Sequence, residues 1–191
     1  LLAGAWTEIF LRGGAHAHTL LVVSAMAVAG ILGLIAARLD WSASRYFALA
    51  PQIAAGLVFL WLSFDAFDWL PAAHSDSLFD TSFLGGLLIA LGAGVSSLAF
   101  QRQPGASHRS ISRVALGWCA FWWFVHVLGS FDAWGGRLLA SYNLYADAYP
   151  AIHPLYGLAV ALTTPLFARL ARRLDWADLR WMASAVWIAL L

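Results

Sequence analysis

Six runs of apolar residues divide this chain, at about 17–37, 46–62, 81–100, 111–128, 149–168 and 178–191. About 20 apolar residues in a helix cross the roughly 30 Å hydrocarbon layer of a bilayer. Helix is the only form a single spanning segment can take there, because hydrocarbon offers no partner for an unpaired backbone group. Charge is too scarce for the alternative of a soluble globule. Only 11% of the residues are charged and 62% are hydrophobic, where a soluble domain carries about 25% charged residues. The expected fold class is therefore all-α, a polytopic transmembrane helical bundle of about six spans. The chain starts at Leu1 and stops inside an apolar run, which reads as one transmembrane segment, 1–191, of a longer chain with no signal peptide at its start.

The joins between the runs alternate in character. Short ones hold Arg38 and Arg45, then Arg102, Arg109 and Arg113, then Arg169, Arg172, Arg173 and Arg180; the longer ones hold only Arg12 and Arg137. The positive-inside rule places the Arg-rich turns in the cytoplasm. Acidic residues run the other way, with Glu8, Asp65, Asp68, Asp76, Asp80, Asp132 and Asp147 in the longer loops. The expected location is a bacterial inner membrane, with acidic loops facing the periplasm. The single cysteine, Cys119, excludes an internal disulfide, and nothing in the charge pattern points to nucleic acid.

The punctuation itself repeats. ARLDWSASRYFALA at 37–50 returns as ARRLDWADLRWMASA at 171–185, with RSISRVALGW at 109–118 between them. SFDA stands at 63–66 and again at 130–133, 67 residues on, and Arg45, Arg113 and Arg180 keep nearly the same period. A fixed period marks a repeat architecture, here three tandem helical hairpins with a repeat of about 67 residues. Within the turns, Asp40 and Asp175 are placed to cap the helices that follow. Trp41 and Trp176 suit the headgroup level, and Arg45, Arg113 and Arg180 can snorkel to lipid phosphate, so these five are the expected interface anchors.

Small residues at four-residue spacing, Ala25, Ala29, Gly33 and Ala37 in the first run and Gly86, Ala90 and Gly94 in the third, predict close helix packing. Pro51 and Pro165 predict kinks, with Thr163 and Thr164 satisfying the carbonyls that Pro165 releases.

Chemistry is harder to find. The six runs contain no Asp, Glu, Lys or Arg in the hydrocarbon zone, which argues against a proton-coupled pathway through this segment. Gln52 and His126 are the polar side chains left inside, and Cys119 reads as a small packing residue. The longer loops supply the candidate catalytic or binding groups Asp65, His74, Asp76 and Asp132 among aromatics. Carboxylates with histidine can hold a divalent cation or serve as acid and base, and aromatic faces beside carboxylates suit a sugar. No HExxH, calcium loop or phosphate loop accompanies them, and no cofactor or resident metal is implied. A different reading of SFDAFDW and SFDAW is short amphipathic segments lying in the interface, with Asp65 and Asp68 toward water.

The run ARRLDWADLRWMASAVW, with ARLDWSASRYFALAP, resembles the repeated hairpins of a large bacterial family of uncharacterised, very long multi-pass membrane proteins, domain of unknown function 2339. Hairpin turns of that family read R-L-x-W-x-x-L-R-W, matched here by Arg173, Leu174, Trp176, Leu179, Arg180 and Trp181. The earlier copy departs from it at Ala43, Ser44 and Tyr46. The resemblance implies a multi-span inner-membrane protein and carries no activity or catalytic residue. Three readings of function stand: a repeat-built membrane scaffold or envelope component partnered by lipid and by the other spans of its own chain; an outer-face enzyme or carrier for a lipid-linked glycan or similar amphiphile; and part of a transporter.

Overall fold

A computed structural model of the chain describes residues 23–31, 42–65, 81–141 and 154–190. The described residues are helices and the turns between them. After a helical stretch at 23–31 come α1 (Ser42–Asp65) and α2 (Thr81–Gln101). Then follow α3 (Ala106–Phe121), a π-helical segment (Trp122–Val127), α4 (Leu128–Ser141), α5 (Pro154–Arg173) and α6 (Ala177–Leu190). Helix overlaps each of the six apolar runs. Two stretches among the described residues, Phe83–Gln101 and Ala106–Gly136, are long and apolar enough to cross a membrane.

The fourth apolar run ends at 128, yet its helix continues through the π segment and α4 to Ser141. The second SFDA is therefore not a segment lying in the interface. It prolongs a helix long and apolar enough to cross a membrane, with Ser130 and Asp132 buried. The sequence suggested a boundary because Asp132 and the glycines after it look like loop residues, and no periodicity showed that the carboxylate has a partner.

Residue types explain the tightest hairpin, α2 with α3. Gly94 lies opposite Cys119, where an added Cβ would stand 3.4 Å from Sγ, and Gly86 lies against the His126 ring. Between them Ala90, fully buried, packs with Ile89 and Trp122. The small-residue stripe of α2 thus faces α3 and the π segment, and the absence of side chains is what lets the backbones close. Two serines lock the same pair. Ser97 Oγ donates to the Ser112 carbonyl at 2.7 Å, and Ser112 Oγ donates to the Ser97 carbonyl at 2.8 Å. On the other side of α2, Gln52 of α1 and Ser96 exchange hydrogen bonds of 2.9 and 3.1 Å. Gln52 is therefore a bundle contact. In the first run Ala25 and Ala29 are buried; Gly33 and Ala37 lie outside the described residues.

Helix α1 runs through Pro51, and α5 through Pro165. Both threonines before Pro165 bond back to one carbonyl, Val160, at 3.1 Å from Thr163 and 2.7 Å from Thr164. That carbonyl precedes Ala161, the one whose usual donor is missing at Pro165, so the threonines bond one residue upstream of the expected carbonyl.

The turn between α5 and α6 also differs from expectation. Asp175 adopts φ 50°, Trp176 N–H donates to the Ala171 carbonyl at 2.8 Å, and Leu174 N–H to the Leu170 carbonyl at 2.9 Å. This 6→1 closure around a left-handed residue is a Schellman motif, with Asp where glycine is usual. Asp175 thus closes the helix before it, and the acidic residue in the first turn of α6 is Asp178. Trp176 is drawn inward by the same turn. It is 4% exposed, among Leu116, Ala171 and Leu179, whereas Trp181 is 77% exposed. The inward position of Trp176 departs from the lipid-facing anchor expected of it.

Both Arg-rich joins that the structure describes, Gln101–Ala106 and Arg173–Ala177, lie at one end of the bundle. Gln101 Nε2 donates to the Asp175 carbonyl at 3.3 Å, and Arg113 Nε pairs with Asp178 Oδ1 at 3.2 Å. The start of α1 reaches the same end, where Tyr46 packs tilted against Phe100 and His108 stacks on it.

Candidate functional site

Of the four candidate side chains, His74 and Asp76 lie outside the described residues. Asp65 is the last residue of α1, and Asp132 lies in α4. Trp41 is also outside. Arg45 and Arg180 each come three residues after the start of their helices, α1 and α6, while Arg113 sits farther along α3.

Asp132 is best understood from α5. Pro154 opens that helix, a position where its missing N–H costs nothing. The next N–H groups still lack intrahelical partners. Asp132 Oδ1 accepts from Tyr156 N–H at 3.0 Å, so a carboxylate on one helix caps another, where the helix dipole favours negative charge. Asp132 is 6% exposed, and the cap gives its carboxylate a partner there. Tyr156 makes a second link, its hydroxyl donating to the Phe124 carbonyl at 3.0 Å. Phe124 lies inside the π segment, whose wider turn re-aims backbone and side chains.

The π segment also sets His126. Its ring packs edge-on against Trp122, with centroids 5.4 Å apart, and over Gly86. His126 is 6% exposed. One turn on, Ser130 Oγ is buried with no hydrogen-bond partner among the described residues. His126 and Ser130 share one face of the helix, while Asp132, about 120° away from His126 at 100° per residue, faces α5. Asp132 and the His126–Ser130 pair therefore lie on different faces of the helix. Among the described residues no group of three or more His, Cys, Asp or Glu comes together to hold a metal ion.

From Arg113 to Asp132 the helix rises about 28 Å at about 1.5 Å per residue, close to the roughly 30 Å of hydrocarbon. The Arg113–Asp178 pair and the Asp132–Tyr156 cap thus stand one bilayer core apart. Sequence reasoning passed over Tyr156, Ser97 and Ser112. Serine inside an apolar run was the available signal, and Tyr156 offered none beyond its place two residues after Pro154.

No family model matches the chain, and no curated protein or solved structure is significantly similar to it.

Proposed function

We propose that the chain is an integral protein of the bacterial inner membrane with six spans arranged as three tandem hairpins, acting as a membrane scaffold or envelope component without catalysis in this segment. The observation that carries the reading is the outward apolar surface. Leu91 and Val95 of α2, Val114 and Val125 of α3 and the π segment, and Leu57 of α1 are each more than 45% exposed. On α5, Leu158, Leu162, Leu166 and Leu170 form an exposed row at four-residue spacing. Apolar faces on several helices together exceed what one soluble partner covers, whereas a bilayer covers them all. The polar side chains support the same reading, because Gln52, Ser96, Ser97, Ser112 and Asp132 bind one helix to another. Membership of the family with domain of unknown function 2339 belongs to this proposal and rests on the hairpin-turn motif.

In this account the Arg-rich joins face the cytoplasm and the acidic loops the periplasm. The test is native mass spectrometry of the full-length protein extracted gently with its lipids, alongside Asp65→Asn and Asp132→Asn. Bulk phospholipid unchanged by the substitutions is the expected result. A lipid-linked sugar retained by the parent and lost from the variants would overturn the scaffold reading in favour of an outer-face enzyme or carrier.

A further inference from the structure

Seven arginines, Arg102, Arg109, Arg113, Arg169, Arg172, Arg173 and Arg180, fall on the two joins at the basic end or on the helix turns beside them, against two aspartates, Asp175 and Asp178. All seven are exposed. Among the described residues one ion pair forms there, Arg113 with Asp178. The two joins are fixed to each other by the Gln101–Asp175 hydrogen bond and by the buried packing of Trp176, Leu116 and Leu179. Arg109 lies one helical turn from Arg113 on the same face of α3, toward the aqueous end. Because Arg113 pairs with Asp178, that face of α3 is the one turned toward the start of α6.

The surface next to this cluster is apolar. Val114, 71% exposed, adjoins Arg113; Leu170, 39% exposed, adjoins Arg169; and Trp181, 77% exposed, adjoins Arg180. Cationic groups at one level and exposed apolar side chains just beneath it match the two parts of a phospholipid. A free phosphate compound would need only the first.

We propose that the junction of the two basic joins binds the headgroup of an anionic phospholipid, with Arg109, Arg172 and Arg173 on its phosphate and the surface around Val114 and Trp181 along its acyl chains. The packed joins hold guanidinium groups from two hairpins around one headgroup, the arrangement by which basic pockets between helices select anionic lipids. Arginine suits the task because its planar fork meets phosphate oxygens in pairs. This proposal rests on the membrane reading above.

The test is native mass spectrometry of the full-length protein in mixed micelles of phosphatidylcholine and phosphatidylglycerol. The parent is compared with the triple variants Arg109→Gln/Arg172→Gln/Arg173→Gln and Arg109→Lys/Arg172→Lys/Arg173→Lys. Phosphatidylglycerol should be retained in preference to phosphatidylcholine. At about fivefold per arginine, the glutamine variant should lose the preference by roughly 100-fold, and the lysine variant, which keeps the charge and loses the paired contacts, should fall between the glutamine variant and the parent. Millimolar inorganic phosphate should leave the bound lipid in place. Equal retention of the two lipids by the parent, an unchanged preference in the glutamine variant, or displacement by inorganic phosphate would each overturn the proposal. Equal retention by the parent overturns the proposal even if a variant fails to fold. Failure of the membrane reading shows separately, as release of the protein from membranes by alkaline wash without detergent.

Discussion

Replacing Gly86 by alanine tests the packing that joins α2 to the π segment. A Cβ built at Gly86 would collide with Cδ2 of His126 and stand 2.7 Å from Nε2 and 2.8 Å from Cγ, where ordinary contacts begin at 3.4 Å. The ring has little room to yield, being 6% exposed and seated against Trp122. Overpacking of this kind costs about 1–3 kcal/mol. Gly→Ala inside a helix also gains about 0.5–1 kcal/mol from backbone entropy, so Gly86→Ala alone would understate the clash. Gly117→Ala supplies the reference, because an added Cβ there meets nothing within 4 Å. The difference between the two variants should be about 1–3 kcal/mol, a factor of roughly 5 to 150 in the folding equilibrium. Gly92→Ala, whose Cβ collides with the flexible end of Met26 and makes an ordinary contact with Gln52, should fall between them. The assay is reversible unfolding in dodecylmaltoside–SDS mixed micelles, followed by near-UV circular dichroism. Equal stability of Gly86→Ala and Gly117→Ala would refute the close approach.

Three further outcomes follow from particular contacts. A double-mutant cycle on Ser97→Ala and Ser112→Ala should return a coupling of about 0.6–1.7 kcal/mol in the same assay, the range for hydrogen bonds between membrane helices; zero coupling would mean the serines do not pair. Asp132→Ala should destabilise the protein by about 1–2 kcal/mol through loss of the cap on α5, while Asp132→Asn, which keeps an acceptor for Tyr156 N–H, should recover most of that. Asp175→Gly should stabilise it by about 1 kcal/mol, because φ 50° strains any residue with a Cβ, and the melting temperature in detergent would show a rise.

The helices were legible because apolar length is a local property. The ends were not, because they depend on partners. Asp132 reads as a loop residue until Tyr156 N–H is brought to it from the next helix. In the RLDW turn, the choice between Trp176 and Trp181 for the outward position depends on one left-handed residue, Asp175, and a pattern of tryptophans cannot encode that rotation. The small-residue stripe at Gly86, Ala90 and Gly94 was readable, since spacing of four is itself the geometry of a helix face. The π segment in WWFVHV left no mark, as one wider turn changes no residue type. For the site, Asp132 was singled out for its charge, while the role the geometry gives it, as a cap on α5, requires knowing where α5 begins.

The claim that the basic joins share one side of a membrane is tested most directly by thiol labelling in intact cells. In a Cys119→Ala background, single cysteines replace Ser77 in the acidic loop, Ser107 at the start of α3 beside the join with α2, and Ala177 at the start of α6 beside the join with α5. The account predicts that Ser77→Cys reacts with an impermeant reagent from outside, and that Ser107→Cys and Ala177→Cys react only after permeabilisation. Labelling of the two joins from opposite sides, or of Ser107→Cys from outside, would contradict it.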